Sequence, residues 1–310
     1  MLNGGIKAIP IICGPTASGK SSLALELCRT IGGELISCDS MQIYRGLDVG
    51  TAKATKEEQA EIPHHMIDII DPGTDYSVND YLSGCFEAID DVLSRNKIPV
   101  ICGGTGQYIS SLKFGIRYND QPVPDELTRR LYDEAEKDGI DRIYSELVKI
   151  DPVAASAIHP NNTRRVIRAY SVYLATGKTF TQWNQESKTT GPKYPFVLFE
   201  PDYEDHRDIL YDRINKRVDI MMEQGLLNEV RYLYSLDIPH TSTCFQAIGY
   251  KEFAPYLSGN ISLEKAVYDV KLNSRHYAKR QLTWFRYIDD IVKLQPGSSE
   301  SIGIIKSYVK

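Results

Sequence analysis

Residues 14–21, which read GPTASGKS, decide the fold. They follow the apolar run AIPIIC (8–13) and precede a pattern typical of a helix near 20–31. The spacing G-x-x-x-x-G-K-S is that of the phosphate-binding loop between a strand and a helix. Glycines let backbone N–H groups surround a phosphate, while a lysine and the helix N-terminus add positive charge. The predicted phosphate site comprises Gly14, Pro15, Thr16, Ala17, Ser18, Gly19, Lys20 and Ser21.

Short apolar runs alternate with helical patterns through the first third of the chain. The runs GELISCD (33–39) and IPVICGG (98–104) flank a helical pattern near 78–95. This alternation predicts an α/β fold, a P-loop NTPase-like parallel sheet flanked by helices. Ligands of such sheets bind at the C-terminal ends of the strands. We therefore expect residues 14–21, 38–42 and 103–108 to meet in one crevice.

The pattern becomes helical after YNDQPVPDEL (118–127) and returns to a strand at YPFVLFEPD (194–202). Two prolines and an aspartate in the first segment are typical of a helix start. We predict a core formed by residues 1–117 and 194–310, with a helical C-terminal part. Residues 118–193 are predicted to form a helical insertion domain.

Composition limits the classes of function. The chain has 310 residues, 25% of them charged, and a net charge of −5, so any nucleic-acid site must be a local patch. Its six cysteines form no C-x-x-C pair, which indicates reduced, packed thiols in a cytosolic protein. No apolar stretch approaches the ~20 residues that span a bilayer. We expect a cytoplasmic protein without a membrane partner.

These residues leave open which phosphate compound the loop binds. Hydrolysis of a nucleoside triphosphate usually needs a second carboxylate on Mg²⁺ at a neighbouring strand end. The strand IPVICGG ends in glycines instead. The Ser21 hydroxyl could still coordinate Mg²⁺. A departing diphosphate would suit this cradle as well as ATP would.

Asp39 follows a buried strand in the segment SCDSMQIYR (37–45). A carboxylate beside a phosphate crevice could act as a general base or as a Mg²⁺ ligand, or it could simply cap the loop. Ser40 and Gln42 could form hydrogen bonds to the edge of a nucleic-acid base. Met41 could pack on the face of that base.

The segment GGTGQY (103–108) is a third candidate. Gly103, Gly104 and Gly106 would let the backbone approach a ligand closely, and Thr105 presents a hydroxyl among them. An ordinary turn between a strand and a helix is the alternative.

Basic residues gather in two helical segments. Arg164, Arg165 and Arg168 lie in NTRRVIRAY (162–170). In the helical C-terminal part, Lys271, Arg275 and Lys279 recur at four-residue spacing, which places them on one helix face. Residues 264–287 carry a net charge of +4 in a chain whose total is −5. This charge predicts phosphate contacts, although a solvated helix face is the alternative. We expect Trp284 and Phe285 in the core, and no zinc site at His64 and His65.

Eight segments, in order, resemble the signatures of the tRNA dimethylallyltransferases. They are GPTASGKS, DSMQIYRGLDVGTAK, PHHMIDIIDP, GGTGQYI, RRVIRA, RVDIMMEQGLLNEV, AIGYKE and YAKRQLTWFR, and they span almost the whole chain. A C-terminal part without a Cys/His zinc finger is similar to the bacterial branch of the family.

The resemblance implies transfer of a dimethylallyl group from dimethylallyl diphosphate to N6 of an adenosine in tRNA. That adenosine lies 3′ of the anticodon in tRNAs that read codons beginning with U. The loop would hold the donor diphosphate with Mg²⁺, Arg217 and Arg280. Asp39 would be the base and Thr105 would orient it. The enzyme is expected to be a monomer that binds the anticodon stem-loop. The implied tRNA contacts are Asp39, Ser40, Met41, Gln42, Thr105, Arg164, Arg165, Val166, Ile167, Arg168, Lys271, Arg275 and Lys279.

Three other functions fit parts of this pattern. An isopentenyltransferase for free adenine nucleotides would share the donor loop but would need no grip on tRNA. A P-loop small-molecule kinase would bind ATP and transfer phosphate. An RNA-binding nucleotide switch would bind without alkyl transfer.

Overall fold

The computed structural model describes residues 5–116, 123–186 and 191–309. The chain forms two compact units, one comprising Met1–Lys113 with Pro192–Lys310 and the other comprising Phe114–Gly191. The sequence predicts a core of residues 1–117 and 194–310 and an insertion of residues 118–193, bounds that differ from these by a few residues. The expected boundary at residue 118 lies outside the described residues.

The first unit contains one parallel six-stranded sheet in the order β3-β2-β4-β1-β5-β6. Its strands are β1 (Ile9–Ile12), β2 (Gly33–Cys38), β3 (His64–His65), β4 (Ile98–Gly103), β5 (Phe196–Pro201) and β6 (Ile291–Leu294). β1 is buried along its whole length, as expected for a strand of a sheet covered on both faces. The predicted parallel sheet is confirmed. The prediction omitted β3, which has two residues, and β6, which is only partly buried and includes a lysine.

Four helices follow the first strands: α1 (Lys20–Ile31), α2 (Lys56–Glu61), α3 (Val78–Ser94) and α4 (Gly106–Phe114). α1 begins after Gly19, whose φ is +88°, and ends at Gly32, whose φ is +70°. Ser77 starts α3 with a capping box, because its side chain accepts from Asp80 N while Asp80 accepts from Ser77 N. The helix starts and ends therefore follow local sequence signals.

The second unit consists of α5 (Asp125–Asp138), α6 (Asp141–Ile150), α7 (Pro152–Ala157), α8 (Thr163–Thr176) and α9 (Phe180–Glu186). Its main core joins apolar residues of four of these helices, including Leu131, Ile143, Leu147, Val166 and Ile167. α8 ends at Gly177, whose φ of +72° stops the helix as the sequence predicts.

The chain then adds α10 (Arg207–Glu223), α11 (Leu226–Ser235), α12 (Ala254–Leu257), α13 (Leu263–Arg286) and α14 (Ser301–Val309) to the first unit. Residues 206–234 give one continuous helical pattern, but Gly225 divides it, with a φ of +96°. A second core, around Tyr44, Phe245, Tyr250 and Phe253, includes residues of α10, α11 and α13. This core brings the C-terminal helices next to the loops that follow β2.

All six cysteines are buried and free, as the composition predicts. None of the helices in the described part of the chain combines the length and the apolar character that crossing a bilayer requires.

The contact between Gly103 and β2 gives a testable prediction about stability. A Cβ on Gly103 would lie 2.0 Å from the carbonyl oxygen of Cys38, which is backbone and cannot move aside cheaply. Gly103→Ala should therefore lower the free energy of unfolding by about 1–3 kcal/mol. Urea denaturation followed by circular dichroism measures this change.

Gly303→Ala is the matched control, because Gly303 lies within α14 with no atom within 4 Å of the added Cβ. It should raise stability by about 0.5–1 kcal/mol, the usual difference between glycine and alanine in a helix. Equal stability of the two variants would contradict the predicted clash.

Candidate active site

The C-terminal ends of β1, β2 and β4 open into one cavity of about 490 Å³. Its wall includes Thr16, Lys20 and Ser21 from the first loop, residues 39–42 from the second and Gly103 from the third. Arg217 of α10 and Tyr277 and Arg280 of α13 complete it. The three separated stretches therefore meet, as their positions after parallel strands predict.

The phosphate-type loop has the backbone that its sequence requires. Gly14 and Gly19 have φ values of +133° and +88°, and Ala17 lies in the left-handed region with a φ of +62°. Because the first helical hydrogen bond is donated by Leu23, the N–H groups at the start of α1 have no acceptor within the helix. The N-terminus of α1 therefore points unpaired donors at the cavity.

Two of the backbone donors in this loop are used within the protein. Thr16 N donates to Gln281 Oε1 (2.9 Å), and Ser18 N donates to the Pro15 carbonyl oxygen (3.3 Å). The Ser18 hydroxyl is buried and has no hydrogen-bond partner. An anion at this loop would be bound by the remaining backbone donors, including those at the start of α1, and by Lys20, whose Nζ also donates to the Pro15 carbonyl oxygen at 3.1 Å.

Lys20 and Arg217 place positive charge on the cavity wall. Burial lowers the pKa of the Lys20 ammonium, and the nearby Arg217 lowers it further, while Cys102 and Asp39 oppose the shift. Burial also lowers the pKa of Arg217, and the Asp39 charge opposes this. Both cations would be stabilised by an anion in the cavity, because they are partly removed from water.

Arg213 adds a contact that the sequence reasoning missed. Its Nε donates to the Ala17 carbonyl oxygen at 2.8 Å. It precedes Arg217 by four residues on α10, so the two arginines share a helix face. That spacing is the signal that could have identified it.

Ser21 is exposed at the cavity, which the buried Cys102 also lines. Within the described ranges there is no group of three or more His, Cys, Asp or Glu side chains able to hold a metal ion. Mg²⁺ often keeps several waters and binds through one or two protein oxygens together with substrate phosphates. The Ser21 hydroxyl on the cavity wall fits an ion of that kind.

Asp39 is half-buried and stands at the end of β2. Its Oδ1 accepts from Met41 N at 2.9 Å, so one carboxylate oxygen does cap the turn. Thr105 binds the backbone of the same turn. Its Oγ1 accepts from Ser40 N at 3.0 Å, and its own N donates to the Cys38 carbonyl oxygen at 3.2 Å. Thr105 therefore acts on the position of Asp39 through the backbone of the turn.

Tyr277 lies beside these two residues and was also missed. Burial and the charge of Asp39 raise the pKa of its phenol, while a hydrogen bond with Thr105 opposes this. The guanidinium of Arg280 lies 5.6 Å from the centre of the Tyr277 ring. Tyr277 thus stays neutral and supports the arginine on the cavity wall.

The side chains expected to read a base differ in their surroundings. The Gln42 amide is already paired, because Oε1 accepts from Ser37 Oγ (2.8 Å) and Nε2 donates to the Thr51 carbonyl oxygen (3.2 Å). Met41 packs against the core around Tyr250. The Ser40 side chain also lines the cavity, and its hydroxyl accepts one long hydrogen bond from Thr105 Oγ1 at 3.5 Å.

Lys53 holds the loops beside the cavity together. Its side chain is only 1% exposed, and Nζ donates to Asp48 and Asp68 (both 2.6 Å) and to the Tyr44 carbonyl oxygen (2.9 Å). Asp68, in the segment PHHMIDIIDP, therefore pairs with a buried lysine.

Glu229 of α11 fixes the same loop from the other side. Its carboxylate accepts from the backbone N–H groups of Asp48, Val49 and Gly50, each at 2.8 Å, and from the Tyr250 hydroxyl at 2.6 Å. The Glu229 carboxylate thus accepts the hydrogen bonds that these backbone N–H groups would otherwise donate within a helix or a sheet. The position of Glu229 in the sequence gives no pattern that predicts this contact.

The glycines of residues 103–106 make room for protein, which corrects the expectation that they admit a ligand. A Cβ on Gly104 would lie 2.2 Å from Gln281 Nε2, and one on Gly106 would lie 2.6 Å from the Trp284 ring. Trp284 is 41% exposed and donates to Ser110 Oγ at 2.9 Å, so it is not a core residue, whereas Phe285 is buried. Helix α13 therefore packs directly on this turn.

The basic face of α13 also needs correction. Lys271 Nζ lies 2.6 Å from Asp219 Oδ1, and Arg275 Nη1 donates to Asn215 Oδ1 at 2.6 Å. These two side chains hold α13 against α10. Lys279 is exposed and keeps its charge at the surface.

The basic segment NTRRVIRAY of the second unit also contains both buried and exposed residues. Val166 and Ile167 are 0% and 1% exposed in the core of this unit, so neither side chain is available to RNA. Arg164, Arg165 and Arg168 are exposed along α8. The predicted contact set at this helix is therefore reduced to the three arginines.

His64 and His65 form local contacts at the edge of the sheet. His64 Nδ1 lies 2.6 Å from the Ile62 carbonyl oxygen, and His65 Nε2 lies 2.8 Å from Glu34 Oε2. His65 therefore joins β3 to β2, whereas the His64 contact is local to its own segment.

Comparison with known proteins places this site in a family. The model of the family described as IPP transferase matches residues 42–287, and the isopentenyl transferase model matches residues 7–68. The tRNA dimethylallyltransferase of Oceanobacillus iheyensis is 46% identical over 275 residues, which are 89% of this chain and 87% of that protein. That of Bacillus subtilis is 45% identical over 285 residues, 92% of this chain and 90% of that protein.

Solved structures agree. The tRNA isopentenylpyrophosphate transferase of Bacillus halodurans is 39% identical, with a TM-score of 0.70 over 97% of this chain and 95% of that one. A eukaryotic dimethylallyltransferase described as acting on tRNA is 32% identical, with a TM-score of 0.80 over 97% of this chain and 77% of that one. Since a family model matches well over half of the chain and close relatives cover most of it, the chain belongs to the IPP transferase family.

Proposed function

We propose that this protein is a tRNA dimethylallyltransferase. It transfers the dimethylallyl group of dimethylallyl diphosphate to N6 of the adenosine 3′ of the anticodon, in tRNAs that read codons beginning with U. The observation that carries the proposal is one cavity that joins a cationic phosphate-type loop to the carboxylate of Asp39. The names of the relatives, which are tRNA-modifying transferases, support the same reaction.

The donor diphosphate binds at the loop and the start of α1. Negative charge grows on the diphosphate as the allylic carbon–oxygen bond breaks, and Lys20, Arg217 and Arg280 surround that position. Fixed positive groups in a partly dehydrated site stabilise such charge strongly. Ser21 would hold Mg²⁺, which supplies further positive charge to the diphosphate when bound.

Asp39 accepts the proton of the attacking amine. N6 of adenine forms the new bond to the allylic carbon while the diphosphate departs with the bonding electrons, and one N6 proton passes to the carboxylate. An exocyclic amine on adenine is a weak base, so its proton must leave during or after bond formation. Thr105 fixes the turn that carries Asp39 by accepting from Ser40 N.

The adenosine must leave its stack to enter the cavity, as bases do in other enzymes that modify them. The exposed Arg164, Arg165, Arg168 and Lys279 are the proposed contacts to the phosphates of the anticodon stem-loop. A tRNA substrate implies work in the cytoplasm, and we propose that the enzyme acts as a monomer.

One assay separates this function from its rivals. The protein is incubated with radiolabelled dimethylallyl diphosphate and unmodified tRNA, with AMP replacing tRNA and labelled ATP replacing the donor in parallel reactions. We expect label in tRNA alone. Label in AMP would indicate an isopentenyltransferase for free adenine nucleotides. Phosphoryl transfer from ATP would indicate a kinase. Binding of the substrates without transfer would indicate a nucleotide switch.

Asp39→Asn tests the base. The amide keeps an oxygen that can accept from Met41 N but cannot take up a proton, so kcat should fall by ~10²–10⁴. Binding of inorganic diphosphate, measured by calorimetry, should remain near the parent value. Turnover close to that of the parent would remove Asp39 from this role.

Lys279→Gln tests the tRNA contact, with Lys271→Gln as the control that removes the same charge. The Lys271 ammonium is already paired with Asp219, whereas Lys279 is exposed. Filter binding at several salt concentrations should show weaker tRNA binding for Lys279→Gln, with the slope of log Kd against log salt reduced by about 1. Equal slopes for both variants would argue against a phosphate contact at Lys279.

A further inference from the structure

A single side-chain amide joins two of the loops that form the cavity. Gln281 of α13 is 5% exposed, and its Oε1 accepts from Thr16 N at 2.9 Å. Its Nε2 donates to the Gly104 carbonyl oxygen, also at 2.9 Å. The two partners lie 265 and 177 residues away along the chain.

The chemistry of the bridge suits glutamine. One end must accept and the other must donate, which an amide does and a carboxylate does not. A buried backbone N–H or C=O that loses its partner costs free energy, so the bridge satisfies both loops at once. The position of Gly104 shows how tight the fit is, since an added Cβ would lie 2.2 Å from Nε2.

The two loops have different tasks in the proposed reaction. Thr16 belongs to the loop that holds the donor diphosphate. Gly104 precedes Thr105, whose hydroxyl binds the Ser40 backbone N–H in the turn that carries Asp39. The Gln281 amide therefore spans the distance between the donor side and the acceptor side of the cavity.

We propose that Gln281 is a positioning residue, which sets the spacing between the prenyl donor and the base that deprotonates the acceptor amine. This inference rests on the proposed function. Alkyl transfer requires the nitrogen and the allylic carbon to approach within ~3–3.5 Å, and a displacement of ~1 Å can cost ~10²-fold in rate. Loosening the bridge should therefore reduce the chemical step without removing either binding site.

Gln281→Glu is the sharpest test, because it keeps the size and the acceptor for Thr16 N but loses the donor to Gly104. In steady-state assays with tRNA and dimethylallyl diphosphate, kcat should fall by ~10–100-fold. Glutamate also adds negative charge beside the donor loop, so binding is judged on the uncharged Gln281→Met, which keeps the length and loses both hydrogen bonds. Its KM for the donor and its calorimetric Kd for inorganic diphosphate should stay within about threefold, the pattern of a lost transition-state arrangement. Thr283→Ala is the control, since Thr283 is exposed on the same helix and donates only to the Lys279 carbonyl oxygen.

The outcomes separate the two proposals. An inactive parent protein would overturn the proposed function, whereas an active parent with an equally active Gln281→Glu would overturn the positioning role alone. A variant that melts earlier but keeps the parent kcat per folded molecule would also overturn it, because it would show a purely structural bridge. If Gln281→Glu does not fold, Gln281→Met, which keeps the length and loses both hydrogen bonds, is judged by the same measurements.

Discussion

The candidate active site depends on positively charged side chains that are partly buried. Lys20 and Arg217 line the same cavity, and burial lowers the pKa of both. Cations held in this way are poorly solvated, so an anionic ligand gains more from them than it would at an open surface. The carboxylate of Asp39 offsets only part of this charge. The cavity is therefore prepared for a diphosphate, with the carboxylate left beside it.

The loops around that charge are irregular, and polar side chains hold them in place. Glu229 satisfies three consecutive backbone N–H groups, buried Lys53 pairs with two aspartates, and Gln281 joins two loops through one amide. Hydrogen bonds have fixed lengths and directions, whereas apolar contacts tolerate sliding. Such contacts suit a reaction in which a carbon and a nitrogen must meet at a defined distance.

Helix α13 connects most of these elements. Lys271 and Arg275 attach it to α10, Gln281 reaches the phosphate-type loop, and Trp284 packs over Gly106. Lys279 of the same helix is exposed, so its charge is available to a binding partner. A helix read from sequence as a uniform basic face thus has a structural part and a surface part, because salt bridges and hydrogen bonds within the protein consume some of its charge.

The sequence by itself determined the parallel sheet, the glycine-rich loop at the first strand end, the meeting of three strand ends and the starts and ends of helices such as α8. These features depend on local pattern and on the rule that parallel strands share one edge. Only the tertiary structure decided that Gly104 and Gly106 admit a helix, that Gln42 is internally paired, that Val166 and Ile167 are core, and that Gln281, Arg213 and Glu229 face the site loops. The reason is physical: most of these contacts join residues that lie far apart in the chain, and even where the partner is near, as Ser37 is for Gln42, no local pattern records which group a side chain meets.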